Sequence, residues 1–217
     1  MTQKTKLLIA GTGSIARDIA DLTSDIPGYE VVGFVVDQPP YEHGSKLLGK
    51  PIFWIDQLEE FDNSIKAISA LAQMKKMEII QKIKFFGIEF IRFIHPSSRI
   101  SSSATLGEGV VINSGVQIAT SSILGDFVYV NRGALIGHDT NIGDLSVISP
   151  GVNIAGNVVV GSKTFIGIGS IISDRITVGA GCFICAGSLV TTNIPDGVKV
   201  IGSPARIIER GIGDYKI

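Results

Sequence analysis

The chain has 217 residues, a formal net charge of −1 and 18% charged residues, and with no Lys/Arg cluster this balance argues against nucleic acid as a main partner. A mean hydropathy of +0.37 raises the question of a membrane protein, but uncharged runs such as 145–162 are broken by Pro150, Asn153, Asn157 and regular glycines, so none reads as a spanning helix. Two cysteines and an N-terminus that passes straight from Lys4 and Lys6 into an apolar run complete the expectation of a soluble, cytoplasmic protein in two parts.

In chain order, Lys6 to Ala10 is an apolar run followed by Gly11-Thr12-Gly13-Ser14-Ile15-Ala16 and an amphipathic stretch, Arg17 to Asp25. Strand, Gly-rich turn and helix in that order open a Rossmann-like unit. Tyr29 to Val36 reads as a second strand ending at Asp37, 24 residues after Gly13, where an acid in a dinucleotide enzyme would hold a ribose. Only about 95 residues precede the next segment, enough for one mononucleotide-binding half. A nicotinamide enzyme and a merely tight turn therefore stay open as alternatives. Tyr41 to Lys50 reads as loop, Pro51 to Ile55 as a strand, Asp56 to Phe61 as a helical turn, Ile65 to Leu71 as a strand, Met74 to Phe86 as a helix and Glu89 to Ile94 as a final strand. This alternation argues for a small parallel sheet. The expected division is an α/β domain over 1–95 and a second domain over 96–217, with His95 packing locally at the junction.

Every sixth residue from Ile100 to Val190 is Ile, Leu or Val, sixteen positions without a register slip. A second column four residues further on holds only small or β-branched residues. A period of six fits neither a helix nor simple hairpins, but it suits a stacked parallel β-helix in which three hexads close one coil. The aliphatic and small columns face inward, eighteen residues return the chain to the same corner, and Gly107, Gly125, Gly137, Gly143, Gly161, Gly167 and Gly179 suit corners where a side chain would obstruct. These hexads resemble the left-handed β-helix of the hexapeptide-repeat acyltransferases. Taken with the Gly11-Thr12-Gly13 opening and the His95-Pro96 junction, nearly the whole chain resembles the sugar O-acyltransferases of the sialic acid O-acetyltransferase type, which include bacterial enzymes that N-acetylate UDP-4-amino sugars.

That resemblance implies a homotrimer with acetyl-CoA bound between subunits and the sugar nucleotide held by the first domain, through Gly11, Gly13, Ser14, Ile15 and Asp37. It implies an acetyl-CoA-dependent N-acetyltransferase acting on a nucleotide-linked 4-amino sugar, with His138 as general base beside Asp139, Asn131 in the acceptor site, and Ile168 and Ala186 against acetyl-CoA. The residues themselves support part of this. His138 is the only histidine in the hexads, it occupies an outward corner position, and imidazole as a class titrates near the pH at which an attacking amine must lose its proton. Asp139 could orient the ring. Coil arithmetic stacks Gly156, Asp174 and Thr192 below His138, so that a pantetheine arm would pass Gly156, whose backbone N–H is a candidate for the oxyanion. Asn131 has an alternative reading as a corner residue tolerating a left-handed turn.

Three positions depart from relatives. Val147 stands where some carry a second histidine, Ile15 where some place a histidine beside the ligand, and Ser69-Ala70-Leu71-Ala72-Gln73 where a Gly-Asn or Gly-Asp loop is usual. Cys182 and Cys185 form a C-x-x-C without a second pair, so no metal is expected. A metal-dependent hydratase would need several histidines on the repeats. A sugar O-acetyltransferase and a non-catalytic trimeric scaffold remain as alternatives. Gly202-Ser203-Pro204-Ala205-Arg206 resembles the exit segment of hexapeptide acyltransferases, with Arg206 either capping the coil or meeting a CoA phosphate.

Overall fold

The computed structural model describes residues 4–37, 42, 44–62, 64–71 and 76–212. It divides into two compact units, Met1–Arg92 and Phe93–Ile217. In the first, Leu7, Leu8, Ile9 and Ala10 are fully buried, as a strand covered on both faces must be, and they form β1 (Thr5–Ala10). The chain then enters α1 (Ser14–Leu22), where Ala16 and Ile19 are buried at helical spacing. β2 (Tyr29–Val36), β3 (Lys46–Leu47), β4 (Lys50–Trp54), β5 (Lys66–Ser69), α2 (Lys76–Phe85) and β6 (Glu89–Phe90) follow, with a short 3-10 turn over Ile55–Glu60 after β4. The sheet order is β3-β4-β2-β1-β5-β6. All pairs are parallel except the β3–β4 hairpin.

The second unit is a parallel β-helix with three faces. The eighteen-residue arithmetic is visible in the register: Gln117 pairs with Leu135, Leu135 with Asn153, and Asn153 with Ile171. On all three faces the hexad aliphatics point inward and are almost fully buried, from Ile112 to Val190. The buried hydroxyls of the small column find partners by a fixed rule. Ser122, Thr140, Ser146, Thr164 and Ser170 each donate to a carbonyl fifteen residues ahead, at 2.8–3.1 Å, so the polar part of the core leaves no hydroxyl unpaired at these positions.

Three expectations need correction. The final apolar run, Glu89 to Ile94, is not one strand: Glu89–Phe90 pairs with β5, whereas Phe93–Ile94 pairs with Val111–Ile112 as the first rung of the coil. Hydrophobicity cannot tell which sheet takes a strand, but Ile94 lies six residues before Ile100 and so already keeps the hexad register. The unit division accordingly falls at 92/93, ahead of His95, which is buried within the coil and accepts at Nδ1 from the Ser97 backbone N–H. The corners also work differently from expectation. The left-handed residue is the third after each aliphatic, and it is as often Phe127, Asp139, Leu145 or Asn157 as glycine. The glycines directly after the aliphatic serve close approach between coils: a Cβ on Gly137 would stand 2.4 Å from the Ala155 carbonyl carbon. The Tyr41–Lys50 stretch, expected as loop, contributes β3, while Tyr41, His43, Met74, Ala72 and Gln73 lie outside the described residues.

Lys76, at the start of α2, is only 2% exposed. Burial pushes its amine from 10.5 down to about 7. Between those values the unfolded chain binds a proton that the folded chain lacks, so stability rises with pH across that window. Thermal melts between pH 7 and pH 9 should therefore show the wild type gaining more stability with pH than Lys76→Met, which has no amine to titrate.

Candidate active site

His138 sits on the corner between the rung Leu135–Ile136 and the rung Asn141–Ile142. The corner is fixed by backbone bonds on both sides: Asp139 N–H donates to the Thr120 carbonyl of the preceding coil at 2.9 Å, and Asn157 N–H of the following coil donates to the His138 carbonyl at 2.8 Å. Ser122 Oγ holds the Gly137 carbonyl from inside. Asp139 takes the left-handed position, φ 54°, which aspartate tolerates better than most residues. This turn brings its carboxylate back onto the ring. His138 Nδ1 lies 2.7 Å from Asp139 Oδ2; a carboxylate accepts, so a neutral ring that donates its Nδ1–H there leaves the lone pair on Nε2. Both side chains are more than half exposed, so the pair is open to a ligand.

Gly156 lies directly below, as the arithmetic requires. The space over Gly156 is filled by the imidazole itself: a Cβ there would come within 2.5 Å of Nε2. The absent side chain seats the ring. The Gly156 N–H donates no hydrogen bond among the described residues. On a neighbouring corner three of the equivalent amides are consumed, with Glu108 N–H donating to Asp126 at 2.7 Å, Asp126 N–H to Asp144 at 2.9 Å and Ala180 N–H to Asp196 at 2.8 Å. At this corner, therefore, a lone pair and an unspent amide stand beside each other.

The other candidates are not gathered here. Asn131 follows the rung Tyr129–Val130, one corner before His138. It is not left-handed; Gly133 is, at φ 66°, which overturns the turn-residue alternative. Its Oδ1 accepts from Asn113 Nδ2 at 3.0 Å and from Arg132 N–H at 2.8 Å, leaving the Asn131 amide to act as a donor. Ile168, 54% exposed, and Ala186 stack on that same preceding corner, further down the coil. In one chain His138 and these residues thus occupy different corners.

A groove of about 800 Å³ runs from His138 along the face that carries Leu135, past Gln117, to Arg99. Sequence reading missed this groove, although the outward series 99, 117, 135, 153 is contained in the same eighteen-residue step that found Gly156.

On the first unit, Gly11 (φ 112°) ends β1 and lies against Ala70 and Leu71, which follow β5. Gly13 is the N-cap of α1, ahead of Ser14 and Ile15. Asp37 leaves the adjacent strand, but its carboxylate is 8% exposed and paired with Lys82 Nζ at 3.1 Å, so a ribose would have to compete with that ion pair. The C-x-x-C thiols are both free, and burial pushes the Cys182 thiol up. Among the described residues no group of three or more His, Cys, Asp or Glu could hold a metal ion, and no helix is long and apolar enough to cross a membrane. Arg206 turns its guanidinium to the Ala205 carbonyl at 2.9 Å, in the strand that pairs antiparallel with Val198–Gly202 at the end of one face.

Comparison with known proteins adds the following. The acetyltransferase domain of PglB from Neisseria gonorrhoeae, solved in complex with acetyl coenzyme A, is 29% identical, with a TM-score of 0.87 over 94% of this chain and 100% of that one. PerB from Caulobacter crescentus, solved with CoA and GDP-perosamine, is 30% identical, with a TM-score of 0.85 over 94% and 97%. Mutants of that perosamine N-acetyltransferase in which one histidine is replaced by Asn or Ala have also been solved. WeeI from Acinetobacter baumannii, at 22% identity and a TM-score of 0.86, shares the fold. No protein-family model and no curated protein sequence matches.

Two glycine substitutions separate the seat of the ring from the packing of the coil. Gly156→Ala meets only a side chain, so its melting temperature should stay close to that of the wild type while a crystal structure shows the His138 ring swung off its position. Gly137→Ala meets backbone at 2.4 Å and should destabilise the protein by ~1–3 kcal/mol.

Proposed function

The chain belongs to the hexapeptide-repeat acetyltransferases, and from that premise we propose that it moves the acetyl group of acetyl-CoA onto the amine of a nucleotide-linked 4-amino sugar, with His138 as general base. The observation that carries this reading is the free Nε2 of an imidazole whose Nδ1–H is held by Asp139 at 2.7 Å. As the amine nitrogen attacks the thioester carbonyl, Nε2 takes its proton. The carbonyl oxygen gains charge, and the unspent Gly156 N–H beside Nε2 is suited to stabilise it. Collapse of the tetrahedral intermediate expels CoA thiolate, and His138 returns the proton to sulfur. No acyl-enzyme is needed, and the base is reset after each turnover.

Several features support the rest of the reading. Perosamine is a sugar bearing an amine, and PerB was solved with its GDP-linked form, which favours the amine over a hydroxyl as nucleophile. Affinity with the sialic acid O-acetyltransferase type and the left-handed sense of the coil are narrower parts of the same proposal. A Rossmann-like, nucleotide-binding first domain is a further part of the proposal: Gly11 ends β1, and Gly13, Ser14 and Ile15 open α1, where the N–H groups of a helix N-terminus suit a nucleotide phosphate; Asp37 stands at the end of the next strand. Asn131, Ile168 and Ala186 sit one corner away from His138, so they reach the same acetyl-CoA and acceptor when a second copy of the chain lies alongside. A homotrimer provides three such sites, and exposed Ile123 and Val159, on a different face from the groove, are suited to being covered by assembly.

Thiol release from acetyl-CoA with UDP-, GDP- and dTDP-linked 4-amino sugars and their hydroxyl counterparts tests this. One amino sugar should react fastest, and His138→Ala should lose ~10²–10⁴-fold in kcat while still binding acetyl-CoA. Reaction of hydroxyl sugars alone would transfer the mechanism to O-acetylation, and failure to bind acetyl-CoA would refute it.

A further inference from the structure

Arg99 is the outward residue of the first rung on the face whose third rung ends at the His138 corner. It lines the same groove as His138. We propose that Arg99 binds the sugar-linked phosphate of the acceptor, so that the groove between Arg99 and His138 measures out one sugar ring; this rests on the acetyl-transfer reading above.

Three observations carry the assignment. First, Arg99 is exposed, and among the described residues its guanidinium has no carboxylate or carbonyl partner. Arg175, by contrast, is paired with Asp174 at 2.8 Å. No acidic side chain lines the groove, so nothing competes with an anion for Arg99. A guanidinium offers a fork of donors that matches phosphate oxygens two at a time.

Second, the wall between the two ends is suited to a sugar. Gln117 stands on the rung between Arg99 and Leu135, and Thr120 stands on the corner one coil above His138. An amide and a hydroxyl in that position supply donors and acceptors for ring hydroxyls. The groove, at about 800 Å³, lies within the range that encloses a small-molecule ligand.

Third, the spacing discriminates between phosphates. Two steps of ~4.8 Å between rungs put the Arg99 and Leu135 backbones roughly 10 Å apart, and the arginine side chain shortens the gap to its ligand. That is the scale of an amine, one pyranose ring and the anomeric phosphate. The phosphates of CoA are separated from its thioester by the whole pantetheine arm, which is too long to fit between Arg99 and His138. The groove is lined on both sides of His138, by Arg99 and Gln117 in the coils before it and by Asn153 and Ala155 in the coil after it, and Arg99 stands at the end far from Gly156.

The test compares wild type, Arg99→Gln and Arg99→Lys in the full-length chain, with melting temperatures recorded to confirm folding. Two acceptors are used: the nucleotide-linked 4-amino sugar that wild type acetylates best, and the methyl glycoside of the same amino sugar, which has no phosphate. The preference of the wild type for the nucleotide-linked acceptor, as a ratio of kcat/KM, should fall ~10–100-fold in Arg99→Gln, through KM rather than kcat, and less in Arg99→Lys. An unchanged preference overturns the inference. A rise in KM for acetyl-CoA instead would assign Arg99 to the CoA phosphates and also overturn it. If wild type acetylates neither acceptor, the acetyl-transfer reading itself fails and takes the inference with it, an outcome visible before any variant is examined.

Discussion

The stacking distance between coils is the constraint on which this protein depends. Parallel rungs separated by ~4.8 Å leave no room for a Cβ at the residue after each aliphatic where a glycine stands, and a side chain on Gly137 would run into the Ala155 backbone of the next coil. That tightness forces an eighteen-residue return, and the return decides which side chains share a column. It also determines where chemistry is possible. Inward positions are filled by aliphatics and by hydroxyls already bonded to carbonyls, so a reactive side chain has to stand on a face or at a corner.

At the His138 corner the same stacking builds the site. One coil supplies the imidazole and the carboxylate that holds its Nδ1, and the next supplies a glycine that seats the ring and an amide left without a partner. Elsewhere an aspartate from the coil below takes up the equivalent amide. Here Asp174, the residue below Gly156, is turned to Arg175 instead. A rigid solenoid thus places the proposed base and the proposed oxyanion donor from backbone geometry alone, with no loop to order first.

Most of the coil was legible in the sequence because its period is strict. The hexad column, the inward small column, the outward setting of His138 and the position of Gly156 beneath it all follow from counting by six and eighteen. The left-handed corners were not legible, since Phe127 and Leu145 occupy them as readily as glycine; the backbone is held there by the neighbouring coils, which override residue preference. Counting locates the column of Gly156 and not the direction of the ring above it, so the seating of the imidazole over Gly156 was not legible. In the first unit, strands of two to five residues such as Glu89–Phe90 and Lys66–Ser69 carry too little pattern to fix their ends. The pairing of Asp37 with Lys82, 45 residues apart, could not be foreseen from spacing.

A crystal structure of the full-length protein with CoA and a nucleotide-linked 4-amino sugar is the most direct test of the claim that catalysis is built on the His138 corner. The sugar amine should lie within about 3 Å of His138 Nε2, with the CoA sulfur on the other side of the amine and the Gly156 N–H facing the intervening space. A sugar amine bound away from His138, or an imidazole turned from Gly156 with Nε2 bonded to protein, would contradict the account.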